Sequence, residues 1–407
     1  MNKFDFLDRF NKNEKLDIDR LAVEEFAEQT GGELVRTESG RYLEIVTDYV
    51  PDHKHGARLF SAALGGKQFN LGYFEINEQE RTINLEDIVF VDAETTGLSA
   101  AAGTVAFLLG VGYVRDDRFR LHQFFLPDYP DEPAMLEAIA DLVDKHTCVC
   151  TFNGKCFDLP LLETRYIMQR SESPFSQMDR IDLLHSSRRF WRGRFADTTL
   201  QTLEKELLGL YRYDDTPGYM IPQLYFDYLK TGDFDPLEGV LLHNRLDIVS
   251  LLFLLHATQK YLDDAHKYEY YSPQEAFLIS RYLFRRRDFE GSCRAAAPQF
   301  VPGSKEQAAI DLGFHLGMVQ KRLGRFEEAL STFRGLSKAR GELRLSALES
   351  TAMLLEHQFR DFKGAEAVTL SAIEYLDSPI AEIPYDRVLY WNETLQKRRG
   401  RLLRKLK

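Results

Sequence analysis

Four carboxylates stand where chemistry rather than solvation would put them. Asp92 and Glu94 follow a short apolar run, Asp87–Ala93 (DIVFVDA), within the segment DAETTGL. Residues two apart on a strand share a face, so both acids project one way while Val91 and Ala93 project the other. Buried together, the two acids raise each other's pKa, and a divalent cation would remove that penalty. At an exposed strand end they would be two ordinary surface acids. Asp158 comes after the turn Asn153-Gly154 in TFNGKCFDLP and begins a helix, either as its cap or as a third member of the set. Asp247 lies in LLHNRLDIVSLL, four residues after His243 and on the same helical face. An apolar helix seldom buries an aspartate alone. His243 either pairs with Asp247 or acts as a general base beside a cation ligand.

These groups sit in a mixed pattern between residues 83 and 265. Asp87–Ala93, Thr104–Val114 and Phe119–Leu126 are apolar runs joined by short connections, which predicts an antiparallel meander. Asp131–Lys145 has helical spacing, Thr147–Phe152 reads as a fourth strand, and a helix starts at about Asp158. A last long helix runs from Pro236 to about Leu262, with Asp235-Pro236 as its start signal. Strands first, then alternation with helices, indicate an α/β domain. Residues 1–82 form a mixed α/β preamble. It holds a polar helix around Ile18–Glu28, a hairpin about Glu38-Ser39-Gly40, and His53 and His55, for which no third metal ligand has obvious spacing. Residues 270–407 are all-α and repetitive. Phe289, Phe326 and Phe362 recur at offsets of 37 and 36 residues, close to the period of tetratricopeptide helix pairs. A basic tail, KRRGRLLRKLK, closes the chain.

DAETTGL, FNGKCFDLP and HNRLD occur in the order of the three exonuclease motifs of the DEDD superfamily. With GTVAFLLG, IDLLHSSRRFW and PGYMIPQLYFDYL between them, residues 45–260 resemble the bacterial YprB-like branch of ribonuclease-H-like exonucleases. The resemblance implies a ribonuclease-H-like domain, a mixed sheet with flanking helices, followed by a tetratricopeptide-like repeat domain. It also implies a 3′→5′ exonuclease that hydrolyses single-stranded DNA or RNA with two divalent ions, Mg²⁺ or Mn²⁺. On this reading Asp92, Glu94, Asp158 and Asp247 are the metal ligands and His243 is the general base. Thr95 and Leu98 lie against the terminal nucleotide, with Leu98 as a wedge, and Asn153 orients the second motif. One departure stands out. The superfamily places a histidine five residues, or a tyrosine four residues, before the last aspartate, whereas here a histidine stands four before it. That spacing leaves room for a different class of function, a catalytically weak nucleic-acid-binding scaffold whose repeats recruit a protein partner.

The net charge of −11 argues against a general nucleic-acid coat protein but not against a nuclease, whose carboxylates are offset by bound cations. Basic groups are concentrated locally instead. Arg188, Arg189, Arg192 and Arg194 interleave with Phe190 and Trp191, which makes either a single-strand binding surface or an amphipathic helix with its aromatics in the core. The terminal KRRGRLLRKLK is either a nucleic-acid contact or a solvated tail. Cys148, Cys150 and Cys156 make no disulfide framework and read as buried thiols or, with a missing fourth ligand, as zinc ligands. No apolar run predicts a membrane span. The opening MNKFDFLDR lacks the order of a secretion signal, so the expected location is the cytoplasm.

Overall fold

The computed structural model describes residues 23–74, 81–97, 103–266, 272–381 and 383–407. The chain divides into two compact units. One comprises the described residues up to Arg188 together with Phe195–Tyr261, and the other Arg189–Arg194 together with Leu262–Lys407.

The first unit is built on a sheet of seven strands: β1 (Glu33–Thr37), β2 (Gly40–Tyr49), β3 (Ile88–Thr95), β4 (Ala106–Arg115), β5 (Arg118–Phe125), β6 (Cys148–Thr151) and β7 (Asp179–Asp182). Their spatial order is β1-β2-β5-β4-β3-β6-β7. The expected meander is β3-β4-β5, antiparallel throughout. β6 and β7 add in parallel on the far side of β3. β7 was not read in the sequence. The hairpin expected about Glu38-Ser39-Gly40 is β1-β2, and β2 pairs along β5 from Leu43↔Phe125 to Tyr49↔Phe119. Residues 33–49 are therefore part of the sheet. Helices of this unit include α1 (Glu132–Val143), α2 (Asp158–Met168), α3 (Leu183–Phe190), α4 (Ile221–Thr231) and α5 (Leu237–Asp263), of which α2 and α5 carry candidate site residues.

By length and composition alone α5 could cross a bilayer, which the sequence pattern did not predict. Here Ile248, Leu251, Leu252 and Leu255 on α5 are buried in the core of the first unit. α5 lies directly on β4 because β4 presents glycines to it. A Cβ at Gly110 would stand 1.8 Å from Ile248 Cδ1 and 2.5 Å from Asn244 Oδ1, and one at Gly112 would stand 2.8 Å from Ile248 Cγ2. Alanine suits a strand better than glycine, but here the clash decides the sign. We expect Gly110→Ala to destabilise the first unit by about 1–3 kcal/mol, the usual cost of overpacking. A chemical-denaturation midpoint equal to that of wild type would show that α5 does not press on β4.

Among its described residues the second unit contains seven α-helices: α6 (Pro273–Arg285), α7 (Phe289–Ala296), α8 (Gln307–Arg322), α9 (Phe326–Gly335), α10 (Gly341–His357), α11 (Phe362–Leu376) and α12 (Tyr385–Leu406). Each recurring phenylalanine, Phe289, Phe326 and Phe362, opens the second helix of a pair. In the first and third pairs an aspartate caps that helix, with Asp288 accepting from Gly291 N and Asp361 from Gly364 N. Small residues let the paired helices approach, and a Cβ at Gly317 would lie 2.6 Å from the Phe333 ring.

The basic tail is largely the helix α12, and several of its charges are internally paired. Arg398 Nη1, Arg401 Nε and Lys405 Nζ donate to Glu356, 2 % exposed on α10, at 3.0, 2.8 and 2.9 Å. Hydrogen bonds from Arg401 first and then Lys405, with the charges of Arg401 and His357, hold the Glu356 carboxyl down at about 2 against the opposing effect of burial. A carboxyl lowered by folding stabilises above its unfolded pKa, and that stabilisation is lost as pH falls toward the folded value. We therefore expect Glu356→Gln to destabilise the helical unit by about 3 kcal/mol at neutral pH, the cost of breaking a buried ion-pair cluster in which Arg398 keeps only Glu349, at 3.2 Å. The gap in melting temperature from wild type should close between about pH 4.5 and pH 2. A gap that stays constant over that range would refute the assignment.

Candidate active site

β3 outruns its parallel neighbour. The β3–β6 pairing ends at Phe90↔Cys150, while pairing with β4 continues through Asp92↔Gly110 and Glu94↔Leu108. Asp92 and Glu94 therefore emerge past the end of β6, at the carboxyl edge of the parallel strands, where open α/β sheets leave a crevice. The first four residues of β3 are buried and the last four are half-buried, which follows the change from IVFV to DAET.

The chain leaving β6 turns through Asn153, whose φ of 68° is left-handed. Buried Asp182, the last residue of β7, fixes this turn. It accepts from the backbone N–H groups of Asn153 at 2.9 Å, Lys155 at 3.2 Å and Leu184 at 3.0 Å. Asp158 opens α2 but does not cap it, since the cap position is Phe157, with no side-chain hydrogen bond. The capping alternative for Asp158 thus gives way to a place in the acidic set. Burial, then the nearby charges of Asp182 and Asp247, push its carboxyl up to about 7 against a backbone hydrogen bond that lowers it.

α5 supplies the remaining groups. Asn244 Nδ2 donates to Asp92 Oδ2 at 3.0 Å and to Asp92 O at 3.1 Å. Burial and the charges of Asp247, Glu94 and Asp158 raise Asp92 well above the usual carboxylate range, despite that hydrogen bond. Glu94 rises to about 8. Burial is the main cause, with Asp247, Asp158 and Asp215 adding to it and His243 opposing it. His243 Nε2 lies 3.9 Å from Glu94 Oε1 and 3.7 Å from Asp247 Oδ2. Its Nδ1 is 2.9 Å from Asp215 Oδ1. Burial alone would lower the His243 pKa, but Asp247, Glu94 and Asp215 outweigh it and raise it.

The sequence reading missed Arg212, Asp215, Glu204, Asn244 and Asp182. Arg212 is the hub of an ion-pair network. Its side chain is 4 % exposed and donates to Glu204 at 2.5 and 2.8 Å, to Asp247 at 2.5 Å, and lies 3.2 Å from Asp215. Glu204 also accepts from Ser250, whose hydroxyl lies 2.7 Å from His55 Nε2. His55 is therefore the far end of a hydrogen-bonded chain reaching Asp247. Burial, Arg212 and His53 hold its imidazole down at about 3. Asn244 carried a legible signal, a polar residue on an apolar helix beside His243. Arg212 and Asp215 carried none, because LYRYDD has no periodicity that tells which side chains turn inward.

Among the described residues no three acidic or imidazole side chains form a ready-made cation cage. Asp247 turns one oxygen to Arg212, and Asp92 one to Asn244. The donor chemistry nevertheless suits a hard divalent cation: carboxylate oxygens only, recessed, and mutually repelling in the absence of added positive charge.

The other expected contacts separate. Thr95 ends β3 and donates from its hydroxyl to Gly97 O at 2.7 Å. Leu98 lies outside the described residues. Trp191 and Phe190 are 1 % and 0 % exposed, so neither ring offers a face for a base to stack on, and the core alternative for this segment holds. Arg189 packs over the Phe190 and Tyr282 rings, whereas Arg188 is exposed. Cys148 and Cys150 are buried in β6 and Cys156 is exposed.

Two comparisons bear on this arrangement. The description of the RNase_H superfamily matches residues 89–259, from the start of β3 to the end of the α5 segment that carries the site. A protein of Bacillus subtilis (strain 168), named uncharacterized protein YprB, is 32% identical over 319 residues, covering 77% of this chain and 76% of that one. With its carboxylates gathered where a mixed sheet opens and its sequence aligned over most of both chains, the protein belongs to the YprB family and carries a domain of the RNase_H superfamily.

Proposed function

We propose that this protein is a metal-dependent 3′→5′ exonuclease acting on single-stranded DNA or RNA. The observation that carries the reading is the meeting of Asp92, Glu94, Asp158 and Asp247, from a strand and two helices, with His243 among them. RNase_H-superfamily membership supports hydrolysis of nucleic acid as the general chemistry. The four carboxylates would hold two Mg²⁺ or Mn²⁺ ions, which supply charge neutralisation and a nucleophile at neutral pH. Asn244 holds Asp92 by its oxygen and so fixes the orientation of that carboxylate. Asp182 ties down the turn that delivers Asp158. With Asp215 accepting from Nδ1, the deprotonated ring of His243 keeps its lone pair on Nε2, facing Glu94 and Asp247. The carboxylates that raise its pKa favour the protonated ring, so cations that offset their charge would favour the form able to take a proton from an attacking water.

A second reading, a nucleic-acid-binding scaffold with little catalysis, is favoured by one observation: Arg212 already neutralises Asp247. End-labelled single-stranded DNA and RNA, digested with Mg²⁺ or Mn²⁺, separate the two. A ladder shortening from the 3′ end and abolished by EDTA supports the exonuclease. Binding without cleavage of either polymer supports the scaffold. The helical pairs, which resemble tetratricopeptide repeats, would in either case offer a surface to a protein partner.

A further inference from the structure

The segment that locks the active site also lines a groove on its outer side. Arg212 and Asp215 turn inward onto Asp247 and His243. Their neighbours Tyr211 and Tyr213 turn outward and are 56% and 84% exposed. Asp214, between Tyr213 and Asp215, takes a left-handed φ of 60°, which turns the chain there. Tyr211 and Tyr213 line an open groove of about 670 Å³, with Gln201, Lys205 and Pro217 also on its wall and Arg212 and Asp215 reaching it from below. Single exposed aromatics are ordinary on a protein surface. Two on one groove wall, one residue apart and back to back with the groups that hold His243 and Asp247, call for an occupant that continues into the site.

We propose that Tyr211 and Tyr213 form a base-stacking subsite for a single-stranded nucleic acid whose scissile end enters the carboxylate site; this rests on the nuclease reading above. A polymer cut at its end must leave further nucleotides outside the chemical centre, and the groove adjoins that centre through Arg212 and Asp215. Every base has a π-face, so tyrosine rings hold a strand without reading its sequence. Among the described residues that line the groove, Lys205 is the one lysine or arginine besides the buried, ion-paired Arg212, and Glu204, Asp214 and Asp215 line it too. The subsite therefore grips bases rather than phosphates, and its contribution to affinity should depend little on salt.

The test is binding of a short fluorescent oligothymidylate and oligouridylate to the full chain by anisotropy, with Ca²⁺ in place of Mg²⁺. We expect Tyr211→Ala/Tyr213→Ala to weaken binding by about 10- to 100-fold, from one or two lost stacks. The slope of log affinity against log salt should match wild type. Tyr211→Phe/Tyr213→Phe should bind within about twofold of wild type, since stacking needs the ring and not the hydroxyl. Tyr385→Ala, which removes an equally exposed tyrosine from α12 (79%), should change nothing. Equal affinity for the alanine pair and wild type, equal loss in the phenylalanine pair, or a flattened salt slope would each overturn the subsite. So would conversion of a dimer to a monomer by the alanine pair, which would make the groove an interface between copies of this chain. If wild type binds and cleaves while the alanine pair matches it, the subsite alone falls. If wild type neither binds nor cleaves, the nuclease reading falls with it.

Discussion

Asp92→Asn should lower kcat/KM on single-stranded substrates by about a thousandfold or more, the several kcal/mol of charge stabilisation expected of a metal-assisted displacement. It should do so without unfolding the chain. Asparagine keeps the shape of aspartate, and its carbonyl oxygen can still accept from Asn244 Nδ2. The metal-free protein should in fact gain stability. Burial and the charges of Asp247, Glu94 and Asp158 all disfavour a charged Asp92, and the substitution removes that repulsion. Saturating Mn²⁺ should raise the melting temperature of wild type, by about 2.7 kcal/mol of stabilisation at a hundredfold excess over the dissociation constant. The same addition to Asp92→Asn should have little effect. A variant that loses activity yet keeps its full Mn²⁺ shift would mean that Asp92 acts by some route other than holding cations.

Asp215→Asn tests the group no sequence pattern disclosed. Asp215 can only accept from His243 Nδ1, which places the ring proton there and the lone pair on Nε2. Asparagine can offer an N–H to the same nitrogen instead, which moves the ring proton to Nε2 and leaves no base facing Glu94 and Asp247. We expect kcat to fall by about 10²- to 10⁴-fold, the range of a general base, with KM nearly unchanged. The ¹⁵N shifts of the His243 ring, read by NMR, should report the change of tautomer directly. An unchanged tautomer and rate would remove Asp215 from the mechanism.

The carboxylates were legible because their geometry is local. Strand alternation pairs Asp92 with Glu94, and helix pitch pairs His243 with Asp247. What stayed hidden depends on where separate segments meet. Nothing in LYRYDD marks Arg212 as a core residue, because its partners Glu204 and Asp247 lie 8 and 35 residues away in the chain. The tail KRRGRLLRKLK looks like free positive charge until α12 packs and Glu356, 42 to 49 residues upstream, takes up Arg398, Arg401 and Lys405. HSSRRFWRGR was undecided for another reason. Arginines interleaved with aromatics write both a stacking surface and an amphipathic helix, and burial of Phe190 and Trp191 selects the second. The hairpin β1-β2 could be read from its alternation, but not its docking onto β5.

That docking bears on how the nuclease domain can be handled in isolation. The RNase_H-superfamily match begins at residue 89, so a fragment cut to it would lose β2 and bare the outer edge of β5 from Phe119 to Phe125, its other edge staying on β4. A bare edge rich in phenylalanine is a template for pairing with other chains. The same cut would remove His55 and leave the Ser250 hydroxyl one partner short in the chain leading to Asp247. Such a fragment should aggregate where one starting at about residue 23 stays monodisperse, so the smallest soluble nuclease is longer than the smallest recognisable one.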